Sequence, residues 1–404
     1  MISDPIKLYG TEFKNRVVFQ AMEGCDGTTE GGISDLTRRR YHRFATSGTG
    51  VIWFEATAAT PEGRANPRQL HLTENNKHEF KQLLEEVRAI AMEKFGYAPK
   101  IVMQMTHSGR WSKPKGTPEP IVAYRNEHWE IGKEDQPYTV VTDEYCDYVI
   151  EKFGQSAKLA SEVGFDGIDI KCCHGYLFDE FLSAFNREGR YGGSFENRTR
   201  LYFGCIDAVK ANKAENVFIT TRLNACDCFP YPYGYGVDAN NEIDLTECKK
   251  IIEIITAKGM EMVDISIGNP YLIPHFNRPA LKAPEKGDVG MDRFHKITSE
   301  LQATFPETAI VMSGLTFPGK DAIEYAEKML QEGVSSLVGF GRMTFAYPTF
   351  YADYLKDGII DAKKVCIKCS KCTELMRAGS VTGCPIRDQE VYMPLYNKYV
   401  LKKG

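Results

Sequence analysis

VIEKFGQSAKLASEVGFDGIDIKCC, residues 149–173, contains the unit from which the chain is built. Val149, Phe153, Ala157 and Ala160 recur at helical spacing and form one apolar face. Gly164 then suits a left-handed helix cap, and DGIDIKCC follows as a short apolar strand. The same alternation runs outward in both directions. Strand candidates are NRVVFQAM (from Asn15), GVIWFEAT (Gly50), KIVMQMT (Lys100), DGIDIKCC (Asp166), NVFITTRLN (Asn216), MVDISIG (Met262), AIVMSGL (Ala309) and SSLVGFGR (Ser335). Between them lie amphipathic segments, such as the one carrying Ile323, Ala326 and Leu330, and Gly259 and Gly333 close two more. Eight strands alternating with helices predict an α/β fold, a (β/α)8 TIM barrel over 1–360, followed by a C-terminal Cys-rich extension over 361–404.

Bulk properties agree with one large globular unit. The 404 residues are 43% hydrophobic and 26% charged, and the formal charge of −4 is spread without a basic run. Nucleic acid and anionic membrane are therefore not expected partners. The start, MISDPIKLYG, lacks a signal-peptide pattern, so a cytoplasmic location is expected, where thiols stay reduced. Two connections, 107–141 and 225–244, are too long for plain links. The second, with Tyr231, Tyr233 and Tyr235, reads equally as a Pro/Gly-stiffened surface loop or as a lid over the barrel mouth.

The residues with most chemical content follow the fourth strand. Lys171, His174 and Tyr176 stand at a strand's C-terminal end, where barrel enzymes place their catalytic groups. A cation and an imidazole can hold developing negative charge while a phenol delivers a proton. An isolated H-x-Y is more often a core histidine beside a hydrogen-bonded tyrosine, and the surrounding sequence decides against that reading.

That surrounding sequence, KCCHGYL followed by FLSAFNREGRYGGSFENR, closely resembles the Old Yellow Enzyme family. The resemblance runs from NRVVFQAM to LVGFGR and so covers nearly the whole barrel. It implies an FMN-dependent ene reductase in which Tyr176 protonates the substrate carbon and Lys171 and His174 bind the electron-withdrawing group. Relatives usually carry His at the place of Lys171, and trimethylamine dehydrogenase carries Tyr there. A fixed cation therefore points to an anionic or strongly polarised acceptor.

The resemblance also implies a flavin site. Ala21 and Met22 follow the first strand; backbone at Met22 and Ala56 would face the reactive edge of the ring, Gln104 would read its pyrimidine edge, and Arg222 would lie near N1–O2, where the reduced ring is anionic. Gly314, Gly341 and Arg342, at the ends of the last two strands, form the expected phosphate cradle. At Glu23, where relatives often have Thr or Cys, a carboxylate suggests flavin tuning, substrate contact or a salt bridge.

Twelve cysteines are present, and four of them, Cys366, Cys369, Cys372 and Cys384, crowd into the tail as C-x2-C-x2-C-x11-C-P. Four thiolates suit a 4Fe-4S cluster, with a structural zinc site as the alternative. The spacing resembles the tail of the barrel in trimethylamine dehydrogenase and 2,4-dienoyl-CoA reductase. No G-x-G-x-x-G follows a strand in the tail, so no second dinucleotide-binding region is expected.

Expected partners are an activated alkene and NAD(P)H or a reduced carrier such as a ferredoxin or separate flavoprotein, with a homo-oligomer left open. Two rival functions stand beside this one: an amine or C–H dehydrogenase that exports electrons through the cluster, and a non-catalytic flavin/thiol redox sensor or electron-transfer protein.

Overall fold

The computed structural model describes residues 1–130 and 135–403. Its centre is a closed barrel of eight parallel strands. They are β1 (Val17–Phe19), β2 (Val51–Ala58), β3 (Lys100–Thr106), β4 (Gly167–Ile170), β5 (Phe218–Asn224), β6 (Met262–Ser266), β7 (Ala309–Met312) and β8 (Leu337–Phe340). All eight lie within the stretches read as strands, except that β2 runs one residue beyond its stretch. Pairing of Val338 with Val17 closes the ring.

Helices pack outside for the reason their spacing gave. In the helix Asp143–Val163, Val149, Phe153, Ala157 and Ala160 are all buried, and Gly164 caps it at φ 95°. Gly259 and Gly333 likewise take positive φ just after their helices. No helix among the described residues is long and apolar enough to cross a membrane.

A small antiparallel hairpin, Ile6–Leu8 with Thr11–Phe13, sits at the N-terminal end of the strands. Leu8 and Phe13 join Val18, Val51, Trp53, Val102, Phe218, Met262 and Val311 in an apolar plug that fills the barrel floor. Tyr9 stacks on Phe218 at 4.4 Å and donates to the Ile219 carbonyl at 2.8 Å. The barrel is thus solid from below, and any ligand must enter from the other end.

The tail carries two helices, Lys371–Arg377 and Gln389–Tyr399, joined by a cluster of Leu375, Val381, Tyr392 and Tyr396. It packs back over the mouth. Asp388 pairs with Arg39 at 2.8 Å and also with Arg43, and Thr382 N–H donates to the Gly24 carbonyl at 2.6 Å.

Candidate active site

The first strand leads into Gln20–Asp26, a segment held by buried charges. Arg40 bridges Asp26 at 2.7 Å and Glu55 at 2.5 Å, and Glu55 also accepts the Gly24 N–H at 2.7 Å. Glu55 and Ala56 lie where the β2–β3 register shifts between Phe54 and Thr57. Such an irregularity re-aims side chains: Glu55 reaches the first loop, while Ala56 lines the cleft above the barrel. Each ion of the Arg40 network is buried, so removing one would strand its partner.

The second element is the turn after β4. His174 and Gly175 both adopt left-handed φ, 70° and 66°, and Asp179 accepts the Gly175 N–H at 2.6 Å. A Cβ at Gly175 would sit 2.1 Å from the Asn269 amide nitrogen, so only glycine fits there. This turn presents Lys171, His174 and Tyr176 to one space. Lys171 Nζ lies 3.4 Å from the Tyr176 ring centroid, a position that favours its ammonium form. His174 Nε2 meets Ser266 Oγ at 3.0 Å and Asn277 Nδ2 at 3.1 Å. The Tyr176 hydroxyl meets that of Tyr271 at 3.1 Å, and Tyr271 is stacked on Trp111 at 4.2 Å.

Burial sets the ionisation of this group. It pushes His174 well below the ordinary imidazole value, helped by the cations Arg222, Lys171 and Arg278, so the ring is neutral at pH 7. Burial raises Tyr176 well above the ordinary phenol value, with Tyr271 and Glu23 adding to it, so the phenol keeps its proton. Lys171 is lowered, by burial first and by Arg222, against the pull of Cys173 and Glu23. Burial likewise carries Glu23 up to about 7, opposed by Lys171. Glu23 accepts from Asn66 Nδ2 at 2.8 Å, and among the described residues Lys171 forms no ion pair with it or any other carboxylate.

Opposite this turn, the strand ends form a polar wall. Asp169 accepts from Gln104 at 2.7 Å, Trp53 at 2.8 Å and the Arg222 N–H at 2.8 Å. Arg222 is paired with Asp264 at 3.2 Å, and Asp264 also accepts from Gln20 at 2.8 Å. Side chains of Gln104 and Arg222 are therefore held in fixed orientation at the cleft. At the far end, Gly314 takes φ 89°, and Gly341 precedes Arg342, whose Nη2 donates to the Pro279 carbonyl at 2.7 Å.

One cleft of about 1130 Å³, open solvent included, is lined by Lys171, His174, Tyr176, Ala21, Met22, Ala56, Gln104, Arg222, Gly314, Gly341 and Arg342. All eleven residues singled out for substrate and flavin are thus brought together. The cleft suits a flavin mononucleotide: Arg342 Nη1 is buried with no hydrogen-bond partner among the described residues, as a phosphate ligand would require, and the polar wall matches a ring with donors and acceptors on one edge.

Sequence reasoning missed the connection 267–286, which contributes Tyr271, Asn277 and Arg278 to the cleft. Its only signal was length, twenty residues between β6 and the helix Gly287–Thr304. None of residues 225–244 lines this cleft; Tyr235 is in the core, whereas Tyr231 is exposed. Of the 107–141 connection, 131–134 lie outside the described residues; Trp111 reaches the site by stacking on Tyr271.

The tail supplies Cys372, Thr373, Met376, Arg377 and Thr382 to the same cleft. Its four cysteines are unpaired and half-buried. Lys368 and Ser370 take left-handed φ, and the Lys368 N–H points to Cys366 Sγ at 3.5 Å. Burial raises Cys384, and Cys372 and Cys366 raise it further, so these three sulfurs sense one another. Among the described residues no three metal-ligating side chains stand in a metal-binding arrangement, these cysteines included. The donor set fits an iron–sulfur cluster or zinc in kind, but the sulfurs have not converged on one point.

Fold and cleft together define a (β/α)8-barrel enzyme. The chain belongs to the NADH:flavin oxidoreductase / NADH oxidase family, whose model matches residues 2–361, and flavin-dependent oxidoreduction with FMN and a nicotinamide is the chemistry of that Old Yellow Enzyme-like family. It is 32% identical over 259 residues to NADPH dehydrogenase of Clostridium acetobutylicum, covering 63% of this chain and 70% of that one. In structure it is similar to 2-naphthoyl-CoA reductase in complex with 2-naphthoyl-CoA, with a TM-score of 0.80 at 19% identity, covering 99% of this chain and 58% of the other. Histamine dehydrogenase from Rhizobium sp. 4-9 gives a TM-score of 0.73 at 18% identity, covering 96% and 53%. These two likenesses establish the fold alone, and the chain spans little more than half the length of either protein.

Proposed function

We propose that the protein reduces an activated carbon–carbon double bond conjugated to a carboxylate, or to a carbonyl of comparable polarity. The observation that carries this is the buried Lys171, beside neutral His174 and protonated Tyr176 and without a carboxylate partner among the described residues. Lys171 and His174 hold the substrate's electron-withdrawing group and the charge that develops on it. Tyr176 delivers a proton to the substrate carbon through its hydroxyl. Bound FMN supplies hydride transfer; Ala21, Met22, Ala56, Gln104 and Arg222 are the residues to hold its ring, and Gly314, Gly341 and Arg342 its phosphate.

On this reading residues 1–360 are the flavin barrel and 361–404 the extension, whose four cysteines hold a 4Fe-4S cluster. Electrons then reach the flavin from NAD(P)H directly or from a ferredoxin or separate flavoprotein. A buried cation argues against the amine dehydrogenase, because a cationic substrate would be repelled. The assembled Lys171/His174/Tyr176 set argues against a mere redox sensor.

The test is turnover by anaerobically purified protein on matched α,β-unsaturated acids and ketones and on amines, with flavin, iron and zinc assayed in the same sample. Turnover of the acids, with FMN and about four iron atoms per chain, is expected for a cluster of this type. Oxidation of amines alone would overturn the alkene assignment. Equimolar zinc without iron would make the cysteine site structural, and Cys369→Ala should remove the iron absorbance while FMN stays bound.

A further inference from the structure

The 225–244 connection opens with CDCFPYPYGYG, and its two cysteines have no part in the cleft. Cys226 and Cys228 have their sulfurs 3.4 Å apart, at van der Waals contact. Cys228 takes a left-handed φ of 59°, which curls the chain so that its N–H points to Cys226 Sγ at 3.1 Å. The turn is braced from behind: a Cβ at Gly236 would lie 2.8 Å from Cys226 Cα, and the Cys226 carbonyl accepts the Gly268 N–H at 2.7 Å. Access differs between the two thiols. Cys226 is buried, whereas Cys228 is half-buried and leads to the exposed Tyr231 at the loop tip.

We propose that Cys226 and Cys228 are a thiol-modification site that small-molecule disulfides oxidise reversibly to an intramolecular disulfide. The accessible Cys228, as thiolate, attacks one sulfur of the incoming disulfide and expels the first small thiolate. Cys226, already in contact, then attacks the Cys228 sulfur of the mixed disulfide and expels the second. Two protein S–H bonds and one external S–S bond are exchanged for one protein S–S bond and two small thiols, the two protons leaving with them. The sulfurs need only close from 3.4 Å to about 2.05 Å. The Cys228 contact and burial raise the Cys226 thiol well above its ordinary value, against a weaker pull from the Cys228 N–H and Arg293, so the second step rests on the contact between the two sulfurs. The pair lies one hydrogen bond from Gly268, where the cleft-lining connection with Tyr271 and Asn277 begins.

Holoenzyme incubated with oxidised glutathione, alkylated and digested would be read by mass spectrometry. The peptide spanning both cysteines should be lighter by two hydrogen atoms and lose alkylation at both positions, and dithiothreitol should restore both. Cys226→Ser should instead accumulate glutathione on Cys228. The proposal is overturned if wild type keeps two alkylatable thiols, retains a stable mixed disulfide on Cys228, or joins Cys226 to a cysteine other than Cys228.

Discussion

The two ends of the barrel are made by the same strands and are chemically opposite. At the floor, β3 contributes Val102 to a plug that also holds Phe13, Trp53 and Phe218; two residues on, at the mouth, it contributes Gln104 to a wall with Asp169 and Arg222. The floor is dry, and its apolar side chains are each worth about 1.5–3 kcal/mol on burial. The mouth buries Lys171, Asp169 and Asp264 and partly buries His174, groups that cost free energy to desolvate and are tolerated only where partners or a ligand meet them. Stability is therefore concentrated below and reactivity above, with few residues serving both.

The largest expected break in this division is Tyr176→Phe. Alkene-dependent oxidation of the reduced enzyme should slow by about 10²–10⁴-fold, with flavin reduction and thermal stability little changed. Stopped-flow traces with an unchanged oxidative rate would exclude Tyr176 as the proton donor. At the floor the effect should reverse: Phe13→Ala should lose roughly 3–5 kcal/mol in a denaturant titration while kcat per bound flavin is kept.

Lys171→His should sharpen the division inside the mouth. A charge-assisted contact of about 1.5–3 kcal/mol predicts a loss of roughly 10–100-fold in kcat/KM for an unsaturated acid, with the matching ketone spared. Equal losses for both would show that Lys171 only holds the pocket together.

The smallest effect concerns Glu23. Its folded pKa of about 7 lies above the ordinary carboxyl value, so the native state retains a proton that the unfolded chain releases. Native stability should fall as pH rises through the window from about 4.5 to 7, by roughly 1–3 kcal/mol. Glu23→Gln should flatten this slope, measured as Tm from pH 5 to 8. If wild type and variant run parallel, Glu23 ionises freely in the folded protein.

The sequence by itself determined the barrel and one half of the site. Strand and helix periodicities are local, and the residues after β4 and at the ends of β3, β5, β7 and β8 are placed by counting from those strands. Glu23 was legible as a departure from relatives, but its lack of an ion pair with Lys171 depends on Asn66 and on side-chain directions that neighbours in sequence do not set. Tyr271, Asn277 and Arg278 come from a connection without periodicity, and Arg377 and Thr382 from a tail whose spacing speaks only of its cysteines. Likewise, CDC at 226–228 displays two thiols, and only the left-handed turn at Cys228 and the close approach of Gly236 bring their sulfurs into contact. Tertiary structure decided these points because irregular segments are fixed by what they pack against, here Trp111, Ser266 and the barrel mouth, rather than by hydrogen bonds repeating along the chain.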